Sequence, residues 1–391
     1  MHLTRPAWVE VNLDNLRDNM RTIKSQVSDG VTIISVVKSD AYGYGAYKVV
    51  ETLKEEGINY FAVATLSEAI SLRRKFKDIE LLILGYSPDY LMEDAIKNNV
   101  TMTIYNMESA ERINNFAEKM HLKAKVTIAV DSGMNRIGFK PTEENANIIK
   151  KIYNMPNINI TGIFTHFAAA DTDREYTEYQ FSNYMKMIEM LKNRNVEIPL
   201  RHVNNSQGVI NYREYDLTAV RPGLVGLGHT EGVESKYPGF KVDYIGQVKA
   251  QIANLKVLPA GEKISYGLTY ETYKETRIAT IPLGYADGII RQLSNKIDVL
   301  ISGKRCKQVG RICMDQFMVD VTGVECKIGD EVVIIGKQGE EEIPILEVAL
   351  KAGEIATSYS CHFSKRLPRV YIKNGKVDSV YDGILDEWYS L

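Results

Sequence analysis

Eight short apolar runs between residues 31 and 226 constrain the fold of this chain more than any other feature. They are "VTIISVV" 31–37, "YFAVAT" 60–65, "LLILG" 81–85, "VTMTI" 100–104, "KAKVTIAVD" 123–131, "INITGIFTHF" 158–167, "RHVNN" 201–205 and "TAVRPG" 218–223. The first is dense in β-branched residues without polar alternation, the pattern of a strand buried on both faces. Amphipathic helical stretches such as "AYKVVETLKEEG" and "QFSNYMKMIEMLKNRN" separate most of the runs, and only a short helical or turn segment separates the last two. Strand–helix alternation implies parallel strands with helical crossovers, and eight of them predict a closed (β/α)8 barrel of the TIM type. An open doubly wound sheet is the alternative, but no G-x-G-x-x-G follows the first strand.

Beyond residue 238 the texture changes. Short strand-like runs follow one another with turn residues between them: "YIGQVKAQIANLKVL", "TRIATIPLG", "IDVLISG", "KRCKQVGRICMDQFMVDV" and "GDEVVIIG". A helical stretch near 344–353 interrupts them and "RLPRVYI" closes the pattern. The expected organisation is a barrel over 12–238 and a mainly antiparallel β domain over 239–391, with "WVEV" at 8–11 as a candidate strand of that second domain.

Composition removes several function classes. With 391 residues, a formal net charge of -2 and no basic block, the chain has no electrostatic footprint for nucleic acid. No apolar run approaches the roughly 20 residues of a membrane span. The N-terminus has no apolar segment of signal-peptide type, so a cytoplasmic location is the default expectation. Cys306, Cys313, Cys326 and Cys361 show no C-x-x-C pairing and, with six scattered histidines, spell no zinc site.

Barrel active sites lie at the C-terminal ends of the strands. Those ends carry Lys38, Asp131 and Arg136, His166, then His202, Asn205 and Ser206, and finally Arg221. Each alone fits a structural role. Five of eight strands aiming a polar or ionisable group at one mouth would be costly to bury without a function. Lysine forms Schiff bases with carbonyl cofactors, and Ser206 with the backbone of "RPGL" offers donors to a phosphate. Asp131 and Asp171 are too few to cage Mg2+. Lysine, phosphate cradle and arginine together suggest pyridoxal 5'-phosphate.

Eight motifs in order, "VVKSDAYGYGA", "VDSGMNRIGF", "GIFTHFAAAD", "HVNNS", "AVRPGL", "GEKISYGLTY", "IPLGYADG" and "GRICMDQ", make the chain resemble the alanine racemase family from end to end. The resemblance implies a pyridoxal-phosphate amino-acid racemase of fold type III, L-alanine to D-alanine, working as a homodimer with shared sites. It implies that Lys38 holds the cofactor and serves as one base. Tyr266, from the other subunit, is the opposite-face base, with His166 in its network. Arg221 is implied at the pyridine nitrogen, and Tyr42, Ser206, Gly223 and Leu224 at the phosphate. Arg136 and the Met314 amide match substrate-carboxylate contacts, and Tyr285 and Arg291 match the entrance. The assignment is chemically coherent: racemisation removes the Cα proton from one face and returns it to the other, so two bases must flank the adduct. An arginine at the ring nitrogen keeps its own proton and disfavours a protonated pyridine, which limits side reactions.

Three departures bear on substrate. Thr357 stands where the family usually has a tyrosine at the inner gate and phosphate, which leaves a roomier pocket. Ala129 stands where some members have a lysine, often carbamylated, that braces the substrate-binding arginine, so something else must orient Arg136. Leu227 replaces a tyrosine after "RPG". A racemase of serine or a larger amino acid is therefore an alternative. A decarboxylase on the same plan would place a carboxylate at the ring nitrogen, against Arg221. A non-catalytic cofactor-binding protein of the single-barrel kind would lack the β domain and Tyr266.

Overall fold

The computed structural model describes residues 3–389. The chain divides into two compact units. One comprises Leu16–Ala41 and Ala46–Asp243; the other comprises the described residues up to Asn15, the segment Tyr42–Gly45, and the chain from Tyr244 onward.

After strand β1 (Ala7–Asn12), the first unit contributes β2 (Thr32–Val36), β3 (Tyr60–Val63), β4 (Glu80–Ile83), β5 (Met102–Ile104), β6 (Ala124–Ala129), β7 (Ile158–Phe164), β8 (Leu200–His202) and β9 (Ala219–Val220). These eight form one parallel sheet in the order β4-β3-β2-β9-β8-β7-β6-β5. Its two ends meet at a parallel bridge between Leu82 and Thr101. There the Ile83 amide donates to Thr101 O (2.9 Å), the Thr101 amide to Leu81 O (2.8 Å) and Thr103 Oγ1 to Ile83 O (2.6 Å). The sheet is a nearly closed TIM-type barrel, as the alternation predicts. Its strands are largely buried, with Ile34, Ile83, Ile104, Ile128, Ile163 and Val220 all fully inaccessible.

Capping residues start the crossover helices. Thr65 accepts from the Glu68 amide (3.3 Å) and Glu68 accepts in return from the Thr65 amide (3.1 Å), a reciprocal box before helix Leu66–Lys75. Asn106, Thr142 and Asp173 cap helices Met107–Lys119, Glu143–Tyr153 and Arg174–Lys192 in the same sense, each cap contributing about 1 kcal/mol.

The second unit is built on a twelve-stranded sheet. Its strands are β10 (Gly246–Gln251), β11 (Asn254–Leu258), β14 (Thr276–Ile281), β15 (Asp298–Ile301), β16 (Lys304–Val309), β17 (Phe317–Asp320), β18 (Glu331–Gln338), β19 (Glu341–Ile343), β20 (Arg369–Lys373), β21 (Lys376–Asp382) and β22 (Glu387–Tyr389), together with β1. A separate hairpin joins β12 (Lys263–Ile264) to β13 (Tyr270–Glu271). Strand β1 lies antiparallel to β10 and parallel to β20, and every other pairing in the unit is antiparallel.

Two details differ from the sequence reading. The β pattern does not close at "RLPRVYI": Asn374-Gly375, both with positive φ, turn β20 into β21, and β22 follows. Residues Tyr42–Gly45, placed by sequence within the 12–238 segment, pack instead in the second unit. Arg369 Nε and Nη2 donate to Gly43 O (3.1 and 2.9 Å), and Tyr371 Oη donates to Tyr44 O (3.2 Å). Gly45, at φ +92°, is obligatory there, because a Cβ would lie 1.9 Å from Tyr371 Oη.

The second unit also buries a carboxylate. Asp287 is fully inaccessible and is held by both terminal nitrogens of Arg5, with Arg366 Nε at 3.4 Å and the Gly284 amide at 3.0 Å. Arg5→Ala would leave that charge with one arginine. The expected loss is about 3 kcal/mol, the low end for breaking a buried pair, because Arg366 remains. It should be read as a lower denaturant midpoint at constant m-value; an unchanged midpoint would show that the pair contributes nothing.

Candidate active site

The first unit gathers its polar residues where the strands run out. The chain leaves β2 through Val37 and Lys38 and turns immediately into Ser39, Asp40, Ala41 and Tyr42, all with φ between 52° and 55°. Four consecutive non-glycine residues in the left-handed region cost about 1–2 kcal/mol each. The turn is held by the Ser39 amide donating to Glu68 Oε1 (2.6 Å), the Ala41 amide to Val37 O (3.0 Å) and the Ala46 amide to Asp40 Oδ1 (2.7 Å). Glu68 thus caps one helix and anchors the turn behind Lys38.

Arg221 follows β9 and is 2% exposed. Its Nη1 donates to His202 Nδ1 and to His202 O, both at 2.8 Å, and its Nη2 to Thr165 O (2.7 Å) and Val203 O (3.1 Å). A guanidinium only donates, so His202 Nδ1 accepts and the imidazole proton sits on Nε2. The guanidinium lies 5.2 Å above the Phe164 ring, which stacks on His202. Burial pushes the Arg221 pKa down to about 9, which leaves it cationic at neutral pH. The four N–H groups of its terminal nitrogens are engaged. Among the described residues, the fifth, Nε–H, makes no hydrogen bond.

An anion cradle lies beside it. Ser206 begins the short helix Ser206–Asn211, capped by Asn205, and its Oγ accepts from the amides of Gly223 (3.0 Å) and Val225 (3.4 Å). Leu224 opens a 3-10 turn, where the first amides are orphan donors, and its N–H has no partner among the described residues. A hydroxyl beside a free amide at the start of a helical turn can serve a phosphate or carboxylate.

His166, just past β7, is held well below its ordinary range, at about 3, first by burial and then by the cations Arg221, Arg136 and Lys38. Arg136 is exposed and, among the described residues, makes no hydrogen bond or ion pair. Its loop is organised by Asp131, where burial, which raises the pKa, is outweighed by the amides of Asn135 and Gly133 and by Lys140, which lower it. No cluster of three or more metal-ligating side chains occurs among the described residues.

The remaining sequence-predicted residues lie in the second unit. Tyr42 is buried there. Tyr266 is 70% exposed in the turn Tyr266–Leu268, flanked by Ser265 at φ +68° and by Leu268 at φ +50°. With Ser265, Gly267, Leu268, Cys313 and Met318 it lines an open cleft of about 400 Å3. Met314 is exposed, and the amides of Tyr285 and Ala286 donate to Cys313 O and Met314 O, both at 3.0 Å, so Tyr285 and Met314 share one hydrogen-bonded patch. Arg291 is exposed, and Thr357 is half-buried in helix Ala356–Ser360. Lys38, Arg136, His166, Ser206, Arg221, Gly223 and Leu224 belong to the first unit; Tyr42, Tyr266, Tyr285, Met314 and Thr357 belong to the second. Sequence reasoning noted His202 only as a strand-end residue and gave it no partner. The signal was its place on the strand next to β9.

Comparison with known proteins gives one answer across the chain. Residues 11–231 match the family described as "Alanine racemase, N-terminal domain", and residues 245–371 match "Alanine racemase, C-terminal domain". An alanine racemase of Clostridium novyi is 42% identical over 379 residues, 96% of this chain and 98% of that protein. One from Methanococcus maripaludis is 38% identical over 374 residues, 95% and 100% of the two chains. Among solved structures, alanine racemase of Clostridium difficile superposes with a TM-score of 0.94 at 39% identity over 98% of this chain and 100% of its own. The Bacillus anthracis enzyme with bound L-Ala-P superposes with a TM-score of 0.93 at 34% identity over 99% and 100%.

The low His166 pKa has a consequence for folding. The unfolded imidazole, with a pKa near 6.5, binds a proton before the folded one does, so stability falls as pH drops from about 6.5 towards 3. Nitrogen chemical shifts of His166 should report a neutral ring at pH 5. A ring that titrates near 6.5 would contradict the placement.

Proposed function

The chain belongs to the alanine racemase family, and from that premise we propose that it interconverts L- and D-alanine with pyridoxal 5'-phosphate as cofactor. The observation that carries this reading is Arg221, whose four engaged N–H groups leave one donor at strand ends that also carry Lys38 and an anion cradle. The residues present fit the cofactor. Lys38 would hold it covalently, and Arg221 Nε–H would meet its ring nitrogen. Ser206 Oγ and the Leu224 amide, with Gly223, Tyr42 and Thr357 by resemblance, would hold its phosphate. When bound, the cofactor supplies an electron sink that stabilises negative charge at the substrate Cα.

The chain's own residues supply the rest. Lys38 Nζ moves the Cα proton on one face, and Tyr266 Oη of a second subunit moves it on the other. Arg136 and the Met314 amide hold the substrate carboxylate, and hydrogen bonds to a charged group contribute about 1.5–3 kcal/mol each. Arg221 donates a hydrogen bond but retains its proton, so it gives the ring nitrogen no proton and keeps the reaction to proton exchange at Cα. His166 stays neutral among the three cations and adds no further positive charge. Tyr285 stands at the entrance. The exposure of Tyr266 and Met314 supports a homodimer in which each copy completes the other's site.

A second reading concerns substrate range. Thr357, half-buried where the family has a tyrosine, leaves room for a side chain larger than methyl.

Chiral chromatography with L-alanine in deuterated water should show both enantiomers deuterated at Cα without release of CO2. Lys38→Ala should lose the lysine-linked cofactor absorbance and all activity, and Tyr266→Phe should lose about 10²–10⁴-fold. Mixed and re-dimerised, the two variants should recover partial activity; no recovery would rule out a shared site. For substrate range, kcat/KM for L-serine should lie within about 10²-fold of that for L-alanine, the discrimination that one hydroxyl or methylene provides. A wider gap would remove the case built on Thr357.

A further inference from the structure

Arg136 carries the substrate carboxylate in the reading above, yet no side chain braces its guanidinium among the described residues. At position 129, where some family members supply a lysine for this task, the alanine side chain is buried and has no polar atom. We propose that Lys140 is a positioning residue for substrate binding: together with Asp131 it clasps the loop that presents Arg136. The proposal rests on the assignment of Arg136 to the substrate carboxylate.

The loop begins where β6 ends. The Phe139 amide donates to Ala129 O (2.9 Å) and the Asp131 amide to Phe139 O (3.0 Å), so residues 129–131 and 139 close its base. Gly138, at φ +128°, permits that approach, because a Cβ would lie 2.5 Å from the Asp131 nitrogen. Inside the loop, Asp131 Oδ1 accepts from the Gly133 amide (3.2 Å) and the Asn135 amide (2.9 Å). Its Oδ2 pairs with Lys140 Nζ (3.0 Å), and the same ammonium donates to Asn135 Oδ1. Asn135 is the residue immediately before Arg136 and adopts φ +58°. One ammonium therefore joins the buried carboxylate at the start of the loop to the left-handed residue that aims Arg136.

Helix Arg174–Lys192 holds the other side of the loop. Tyr176 Oη donates to Gly133 O (2.7 Å), and Asn183 Nδ2 donates to Ser132 O (3.2 Å). These bonds fix residues 132 and 133, but nothing from that helix is bonded to Asn135. That end is held by the Asp131 carboxylate, by Lys140 and by the bond from Asn135 Nδ2 to Gly133 O (3.2 Å), of which only the first two tie it to side-chain charges. Lys140 itself is half-exposed, so removing its charge leaves no buried group unpaired except the second oxygen of Asp131.

The test compares Lys140→Met, Lys140→Arg and Arg136→Met in the holoenzyme. For Lys140→Met, KM for L-alanine should rise about three- to five-fold, the scale of one partly exposed ion pair, with kcat unchanged within two-fold. Lys140→Arg should restore KM. Hydrogen exchange at the Gly133 and Asn135 amides should quicken in Lys140→Met and not in Lys140→Arg, a readout independent of turnover. Arg136→Met should raise KM at least tenfold, the loss of a charged hydrogen bond. If Arg136→Met raises KM while Lys140→Met changes neither KM nor exchange, the clasp is refuted and the carboxylate assignment stands. If Lys140→Met lowers kcat without raising KM, the positioning role is likewise refuted. If Arg136→Met leaves KM unchanged, the assignment of Arg136 fails, and the role of Lys140 fails with it.

Discussion

A buried guanidinium organises the mouth of the barrel. Arg221 emerges from β9 and spends four N–H groups on Thr165 O, beyond β7, and on His202 O, His202 Nδ1 and Val203 O, at and beyond β8. One side chain therefore ties the ends of three neighbouring strands. Leaving a cation this deep without acceptors would be prohibitive; with four it becomes a clamp. The clamp sets the spacing at which Asn205 and Ser206 start their helix and at which Gly223 and Leu224 turn. With Lys38 and Arg136 nearby and His166 kept neutral, the mouth is electropositive, which suits a ligand bearing a phosphate and a carboxylate.

Both proposed proton carriers sit beside backbone that an ordinary residue avoids. Lys38 precedes four left-handed non-glycine residues, and Tyr266 lies between Ser265 and Leu268, both at positive φ. Such conformations persist only where surrounding bonds over-determine them. For Lys38 those bonds come from Glu68, Asp40 and Val37. For Tyr266 the adjoining Ser265 Oγ donates to Arg311 O (2.6 Å), and a Cβ on Gly267 would meet Arg311 Nη1 at 2.8 Å. In each case the strained turn prevents the segment from relaxing into a regular strand or helix that would aim the side chain elsewhere.

The barrel was legible in the sequence because its strands are buried on both faces and so read as β-branched runs between amphipathic helices. Strand-end residues such as Lys38, His166, Ser206 and Arg221 were legible for a related reason: a polar group directly after a buried run has few structural uses. What escaped reading depends on tertiary register. No glycine marks residues 39–42, so nothing local signals the left-handed turn. The bond between His202 and Arg221 appears only once β8 and β9 are neighbours. Tyr42–Gly45 follow a barrel strand within the same loop in sequence, yet they pack in the second unit, where Arg369 and Tyr371 supply their partners. The hairpin of β20 and β21 is a different failure, since Asn374-Gly375 between them is a strong turn signal.

Arg221 is anchored by four N–H groups, and in the proposed function its fifth N–H meets the cofactor ring. Nitrogen-edited NMR of the Arg221 Nε–H, in cofactor-free protein and after reconstitution with pyridoxal 5'-phosphate, addresses it directly. A downfield shift and slowed exchange with water on reconstitution are predicted, with the Nη signals unchanged. An Nε–H that neither shifts nor gains protection while the cofactor is bound would contradict the account.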